Sequence, residues 1–127
     1  YFMKTVFDTS AVLAILYQEN GAEIAEQQMS QALLSVVNFA EVISVLSRHS
    51  AESTIRKSIR PFENKVVPYD QSTAMQTGLL APYTQKYGLS LGDRACIALG
   101  MCKKLPILTA DKIWDDLDID ADIQLIR

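Results

Sequence analysis

The sequence predicts an α/β fold of three layers, in which helices cover both faces of a central, mainly parallel sheet of about four or five short strands. Short apolar runs rich in β-branched residues alternate along the chain with longer segments of helical periodicity, as in βαβ crossovers. One helical segment, Leu91 to Lys104, begins with charged residues but is otherwise almost entirely apolar, which suits a helix packed against a sheet.

The length and composition are those of a single globular domain spanning residues 1–127. The chain has 127 residues, of which 49% are hydrophobic and 21% charged. We expect Met3 to be the natural first residue, with Tyr1 and Phe2 as additions before it. No stretch approaches the ~20 apolar residues of a membrane span, so we expect a cytoplasmic protein without a membrane partner.

Five strands are predicted, each bounded by turn-forming or helix-starting residues. The last of them should lie at an edge of the sheet, because a solvated turn with alternating aspartates precedes it. The predicted strands are Thr5–Phe7, Ala32–Val37, Lys65–Val67, Ile107–Ala110 and Ile123–Ile126.

Helices are predicted between the strands, with stops at Asn20-Gly21, Pro61 and Gly88 and a kink at Pro82. Their boundaries follow the apolar periodicity and these stop signals. The predicted helices are Ser10–Gln18, Ala22–Met29, Asn38–Arg48, Ser53–Ile59, Gln71–Tyr87 and Leu91–Lys104, with a helical turn at Lys112–Leu117.

Several classes of function are disfavoured by composition. The net charge of −3 argues against a protein that coats nucleic acid by bulk attraction. His49 is the sole histidine, which excludes a histidine-rich zinc site. Cys96 and Cys102 match no metal or redox spacing and are predicted to be two buried thiols.

Four acidic residues occupy equivalent places in the predicted fold. Asp8 ends the first strand, and Asp111 follows the strand that ends at Ala110. Glu41 and Asp93 lie in the first turns of two predicted helices. In a parallel sheet the strand ends and the first turns of the following helices share one edge, so these carboxylates are expected to converge.

Helix capping is the alternative explanation for each acid taken singly. Asn38 with Glu41, and Ser90 with Asp93, have the spacing of a capping box. Asp8 and Asp111 each precede a predicted helix or helical turn, where an aspartate side chain accepts backbone N–H bonds.

The four acids taken together favour a different interpretation. Carboxylates gathered without cations repel one another, but they are the preferred ligands of Mg²⁺ and Mn²⁺. The predicted cluster therefore indicates a divalent-metal site for phosphate chemistry, where a metal ion activates water and stabilises a leaving oxygen.

Four motifs, "VFDTSAVLAIL", "VVNFAEV", "LSLGDRACIALG" and "LPILTADKIW", stand in an order and spacing that resembles the PIN-domain ribonucleases. The likeness is greatest to the VapC-type toxins of bacterial toxin–antitoxin pairs and covers the chain from Met3 to Arg127. The resemblance implies a PIN-like fold and Mg²⁺- or Mn²⁺-dependent hydrolysis of RNA by an endoribonuclease, with the 3′-hydroxyl as leaving group. It also implies a cognate antitoxin and a homodimer.

The resemblance assigns roles to individual residues. Asp8, Glu41, Asp93 and Asp111 match the catalytic, metal-binding acids, and Asp115 or Asp116 is an alternative or additional last ligand. Polar residues that match positions supporting these acids are Thr9, Ser10, Asn38 and Thr109.

Basic residues in the middle of the chain suggest a strip that contacts RNA phosphates, although an ordinary solvated helical face explains them equally well. Arg94, beside Asp93, is a further candidate for neutralising the acids or holding a phosphate. The resemblance further implies that apolar residues such as Leu13, Leu16 and Tyr17 receive an antitoxin segment. The residues of the strip are Arg48, Arg56, Lys57, Arg60 and Lys65.

Two other functions are compatible with the predicted fold. A receiver-like signalling domain would accept phosphate on an aspartate, for which Asp70 after the third strand is the candidate. A catalytically inactive PIN-like binding module is the second alternative, and the presence of all four acids argues against it.

Overall fold

The computed structural model describes residues 3–127, so the expectation about Tyr1 and Phe2 lies outside the described residues. A five-stranded sheet runs through the molecule in the order β3-β2-β1-β4-β5, and every neighbouring pair is parallel. The predicted α/β fold is confirmed, with the last strand at an edge. The strands are β1 (Thr5–Phe7), β2 (Ala32–Ser35), β3 (Val66–Val67), β4 (Ile107–Thr109) and β5 (Ile123–Leu125).

Seven α-helices in the described part of the chain cover the sheet. The predicted helix over residues 71–87 is divided at Leu80, just before Pro82, and ends at Gly88, whose φ of 72° is left-handed. Short 3₁₀ segments occupy Met29–Gln31, Arg60–Lys65, Gln85–Tyr87 and Lys112–Asp116. The helices are α1 (Thr9–Tyr17), α2 (Ala22–Gln27), α3 (Val36–Leu46), α4 (Glu52–Ile59), α5 (Gln71–Leu79), α6 (Ala81–Thr84) and α7 (Leu91–Lys103).

The sheet has a hydrophobic core on each face. Successive strand residues point to opposite faces, so Phe7 packs with α1, α3 and α4 while Val6 packs with α7. On the α7 side, Ile97 and Trp114 are fully enclosed. This double coverage explains why the strands are short apolar runs rather than alternating ones.

The predicted boundary between β2 and α3 is wrong by two residues. The strand ends at Ser35 rather than Val37, and α3 begins at Val36 rather than Asn38. The hydroxyl of Ser35 accepts a hydrogen bond from the N–H of Val37 and so caps the helix. Asn38 is therefore a buried residue inside the first turn and does not form a capping box with Glu41.

The prediction of two buried thiols holds for one cysteine only. Cys96 is enclosed in the α7 core, and burial raises the pKa of its thiol well above the usual range. Cys102 lies near the end of α7 and is exposed. Within residues 3–127, no helix combines the length and the apolar composition needed to span a bilayer.

Candidate functional site

The four predicted acids line one cleft at the carboxyl edge of the sheet. Its volume is about 260 Å³. Asp8 directly follows β1 and Asp111 lies in the segment after β4, while the other two acids project from α3 and α7. β1 lies between β2 on one side and β4 on the other, so the chain connections run in opposite directions from it. Such a switch point of the sheet is where α/β folds usually bind ligands. The cleft is lined by Asp8, Thr9, Ser10, Leu13, Glu41, Val45, Asp93 and Asp111.

Asp8 is held at the floor of the cleft by two hydroxyl groups. Its Oδ2 accepts hydrogen bonds from Ser10 Oγ at 2.7 Å and from Thr109 Oγ1 at 2.9 Å. The Ser10 oxygen in turn accepts from the N–H of Ala110, and Thr109 Oγ1 accepts from the N–H of Asp111. This network fastens the end of β1 to the end of β4.

Burial has the largest effect on the pKa of the Asp8 carboxyl. Only 4% of the residue is exposed, and removal from water raises the pKa of its carboxyl from 3.8 to about 6. The hydrogen bonds from Ser10 and Thr109 act in the opposite direction, and the charge of Asp93 raises the pKa further. Desolvation therefore outweighs the two hydroxyl donors.

Asp93 serves as the third residue of a capping box at the start of α7. Its Oδ2 accepts from the N–H of Ser90 at 2.9 Å, and its own N–H donates to Ser90 Oγ at 3.1 Å. Partial burial raises the pKa of the Asp93 carboxyl, the Ser90 bonds lower it, and the charges of Glu41 and Asp111 raise it. The predicted capping box at Ser90 is confirmed.

Glu41 lies on the second turn of α3, not on the first as predicted, because the helix begins two residues earlier at Val36; it is held by Thr9 and Asn38. Its Oε1 accepts from Thr9 Oγ1 at 2.8 Å and from Asn38 Nδ2 at 2.9 Å. Asn38 is completely buried, and its Nδ2 also lies 3.2 Å from the carbonyl oxygen of Gly92. Among the described residues, the buried Asn38 Oδ1 has no hydrogen-bond partner.

Asp111 is the acid of the C-terminal segment that reaches the cleft. Its Oδ1 caps the following 3₁₀ segment by accepting from the N–H of Ile113 at 3.2 Å, as predicted. Asp115 and Asp116 are exposed and stand outside the lining of the cleft. Asp8, in contrast, precedes α1 without capping it by its side chain, so that capping prediction is wrong.

Most of the chain matches the model of a known protein family. The family model described as the PIN domain matches residues 5–120. The chain belongs to the PIN-domain family. A search of curated protein sequences finds no significant match.

Solved structures share the fold of this PIN domain across almost its whole length. The DNA-bound VapBC of Salmonella typhimurium is 17% identical, with a TM-score of 0.81, over 99% of this chain and 100% of that chain. A toxin–antitoxin complex from Klebsiella pneumoniae is 22% identical, with a TM-score of 0.69, over 98% of both chains. VapC20 of Mycobacterium tuberculosis, a sarcin–ricin loop cleaving toxin, is 15% identical, with a TM-score of 0.71, over 89% of this chain and 94% of that chain.

The predicted basic residues do not line the cleft of this PIN domain. The Arg94 guanidinium points to α5, where it donates to the carbonyl oxygen of Thr77 at 3.0 Å. Arg56 forms an exposed ion pair with Glu52 at 2.8 Å within α4. Three further basic residues are exposed: Arg48 after the end of α3, Lys57 on α4, and Arg60 at the start of the 3₁₀ segment that follows α4. A role for them in binding RNA stays a prediction.

The donor chemistry of the cleft fits a hard divalent cation, although its side chains are not arranged around one. Within residues 3–127, no three acidic, histidine or cysteine side chains are close enough to bind one ion as they stand. Asp93 uses Oδ2 for its helix cap, and Glu41 uses Oε1 for Thr9 and Asn38. The carboxylates nevertheless share one cleft, and three of them raise the pKa of a neighbour by their charge.

Asp70, the predicted phosphate acceptor of a receiver domain, lies elsewhere. It caps α5 by accepting from the N–H and hydroxyl of Thr73, each at 2.8 Å. These two bonds lower the pKa of its carboxyl. Because Asp70 is outside the acidic cleft, no observation supports the receiver alternative.

Val45 and Gly92 were not predicted at the cleft from sequence, and Leu13 was predicted only as an antitoxin contact. Leu13 and Val45 form apolar parts of its lining, and Gly92 contacts Glu41. Glycine is disfavoured inside helices, so the glycine of the "SLGDR" motif was the available signal of a packing role at this position.

Proposed function

We propose that this PIN domain is a metal-dependent endoribonuclease and the toxin of a toxin–antitoxin pair. The observation that carries the proposal is the convergence of Asp8, Glu41, Asp93 and Asp111 in one cleft at the switch point of the sheet. Of the four, Asp8 is buried and Glu41 and Asp93 are partly buried. Carboxylates gathered in this way repel one another and destabilise the fold unless a cation compensates them, which argues against a purely structural role.

Mg²⁺ or Mn²⁺ would be held by the same four acids, with Asp111 rather than Asp115 as the last ligand. A bound divalent ion would supply a water of lowered pKa and positive charge for the developing phosphorane. Thr9, Ser10, Asn38 and Thr109 support the ligands from behind, as they hydrogen-bond the carboxylates of Glu41 and Asp8.

The residues of the chain explain why a cation would be required. No lysine, arginine or histidine of the described chain lines the cleft, so a phosphodiester entering it would face only carboxylates and hydroxyls. Ser10 and Thr109 orient Asp8, and Thr9 orients Glu41. Leu13 and Val45 would exclude water from one side of the bound phosphate.

The role as a toxin rests on the shared fold. The relatives of this fold include a toxin–antitoxin complex and a toxin that cleaves the sarcin–ricin loop. We propose a cognate antitoxin that binds near α1, where Tyr17 is 45% exposed on the same helix as the cleft residue Leu13. A homodimer and a cytoplasmic location complete the proposal.

The test is RNA cleavage by purified protein with and without Mg²⁺ or Mn²⁺. Wild type should cleave only with metal, and Asp8→Asn and Asp93→Asn should not cleave. Asp70→Asn is the matched control, since this aspartate is exposed and lies outside the cleft; it should cleave like wild type. Equal cleavage by wild type and both cleft variants would show a contaminating nuclease and refute the mechanism.

A further inference from the structure

The carboxylate of Glu41 lies directly on the backbone of α7. A Cβ atom at position 92 would come within 2.6 Å of Glu41 Oε1 and would overlap Oε2. Real Cβ atoms do not approach oxygen this closely, so any side chain at this position would displace the carboxylate. The Glu41 carboxylate therefore occupies the space that a side chain at position 92 would need.

The other residues around this space are polar, with Asn38 buried and Thr9 partly buried. Thr9 Oγ1 and Asn38 Nδ2 both donate to Glu41 Oε1. Asn38 Nδ2 also donates to the carbonyl oxygen of Gly92, which links α3 directly to the backbone of α7. Three elements of the fold, α1, α3 and α7, thus meet around one carboxylate.

Gly92 differs from the other glycines of the chain. Its backbone has no positive φ, so it is not required for its conformation, and glycine is a poor helix former. A Cβ on Gly100, in the same helix, would overlap the apolar side chain of Ile107, and one on Gly78 would have no neighbour within 4 Å. Among residues 3–127, Gly92 is the glycine whose missing side chain makes room for an ionisable group.

We propose that Gly92 is a positioning residue for Glu41. Gly92 fixes the position of the Glu41 carboxylate relative to Asp93 and thereby sets the affinity of the cleft for a divalent cation. This inference rests on the proposed function, because it concerns the same site. Gly92 itself touches neither RNA nor metal in this role; it acts through the carboxylate of Glu41.

The experiment measures Mn²⁺ binding by calorimetry, and cleavage against Mn²⁺ concentration, for Gly92→Ala. We expect binding to weaken by ~10–100-fold, as is typical when support of a metal ligand is removed, and cleavage to recover at high Mn²⁺. Gly78→Ala and Gly100→Ala are matched controls. The first should bind Mn²⁺ like wild type, and the second should lower the melting temperature while leaving Mn²⁺ affinity unchanged.

A second variant separates positioning from general damage. Glu41→Asp has a carboxylate too short to reach position 92, so Gly92→Ala should weaken Mn²⁺ binding much less in the Glu41→Asp background than in wild type. Equal weakening in both backgrounds, or wild-type Mn²⁺ affinity in Gly92→Ala, would overturn the inference. Wild-type protein that binds Mn²⁺ but cleaves no RNA would refute the proposed function while leaving this test of Gly92 intact.

Discussion

At the scale of the residue, Asp8 shows how burial and hydrogen bonding compete over one carboxyl group. Two hydroxyl donors on Oδ2 favour the charged form, yet the pKa of Asp8 is raised to about 6 because the group is removed from water. The folded, metal-free protein therefore carries a carboxylate that is costly to ionise. A cation in the cleft would reverse this balance.

This raised pKa predicts a pH-dependent stability of the metal-free protein. Because the folded-state pKa of about 6 exceeds the ordinary 3.8, the folded chain binds more protons between these values, and the free energy of unfolding falls as pH rises through them. The decrease attributable to Asp8 is on the order of 3 kcal/mol at most. Urea unfolding in EDTA at pH 4.5 and pH 8 measures most of this decrease, about 2 kcal/mol, because pH 4.5 already lies above the ordinary pKa.

Asp8→Asn is the control that isolates this effect from other titrating carboxyls. The variant should lose less stability than wild type between the two pH values and should be the more stable protein at pH 8. An identical pH dependence in both proteins would contradict the assignment of the raised pKa to Asp8.

The positions of the acids and of the polar residues beside them could be predicted from sequence, but the contact between Asn38 and Gly92 could not. Asp8 and Asp111 follow strands, and this placement alone puts them at one edge of a parallel sheet. The cap predicted at Asn38 is wrong because the role of this residue depends on Gly92, which is 54 residues away in the chain. A contact of that kind forms only when α3 and α7 are packed together.

At the scale of the element, the start of α7 has two functions that share one side chain. Asp93 closes a capping box with Ser90, and the same carboxylate faces the cleft. Each carboxylate has two oxygens, and only Oδ2 accepts the Ser90 N–H. Capping and metal binding are therefore compatible, but they should respond differently to mutation.

Ser90→Ala and Asp93→Asn separate these two functions. Ser90→Ala removes the hydroxyl cap and should lower the free energy of unfolding by about 1 kcal/mol while leaving metal-dependent cleavage close to wild type. Asp93→Asn keeps an acceptor oxygen and should lower stability by less than about 1 kcal/mol, but reduce cleavage at least ~100-fold. Denaturant unfolding and cleavage rates are measured on the same samples. Equal changes in stability and in cleavage for the two variants would refute the separation of capping from metal binding.

The element boundaries show where local sequence signals compete. Val36 and Val37 have strong β propensity, which favours a strand through residue 37, but the Ser35 hydroxyl caps a helix that begins at Val36. The apolar segments of β1, β4 and α7 are predictable because their burial on all sides leaves a continuous apolar run.

At the scale of the whole molecule, the exposed basic residues of α4 lie outside the lining of the acidic cleft. The cleft lies beside β1 at the switch point, while Arg56 and Lys57 are on α4, the helix that follows α3. With a net charge of −3, the protein cannot attract RNA by its overall charge. Local basic residues would then have to supply the attraction.

Charge reversal tests whether α4 has this role. Arg56→Glu with Lys57→Glu should weaken RNA binding and reduce the slope of log affinity against log salt by about 1 for each phosphate that is no longer neutralised. Lys103→Glu with Lys104→Glu, at the exposed end of α7, is the matched control and should leave the slope unchanged. If RNA binding by wild type and by both double variants had the same salt dependence, the basic residues of α4 would form an ordinary solvated face without a role in RNA binding.

The central claim is that Asp8, Glu41, Asp93 and Asp111 together bind a divalent cation. Anomalous diffraction from a crystal soaked in Mn²⁺ tests this claim most directly, because it locates the ion without reference to activity. We predict a peak in the cleft within bonding distance of at least two of these carboxylates, and its disappearance in Asp8→Asn. A Mn²⁺-containing crystal with no peak in the cleft, or with equal peaks in wild type and Asp8→Asn, would contradict the claim.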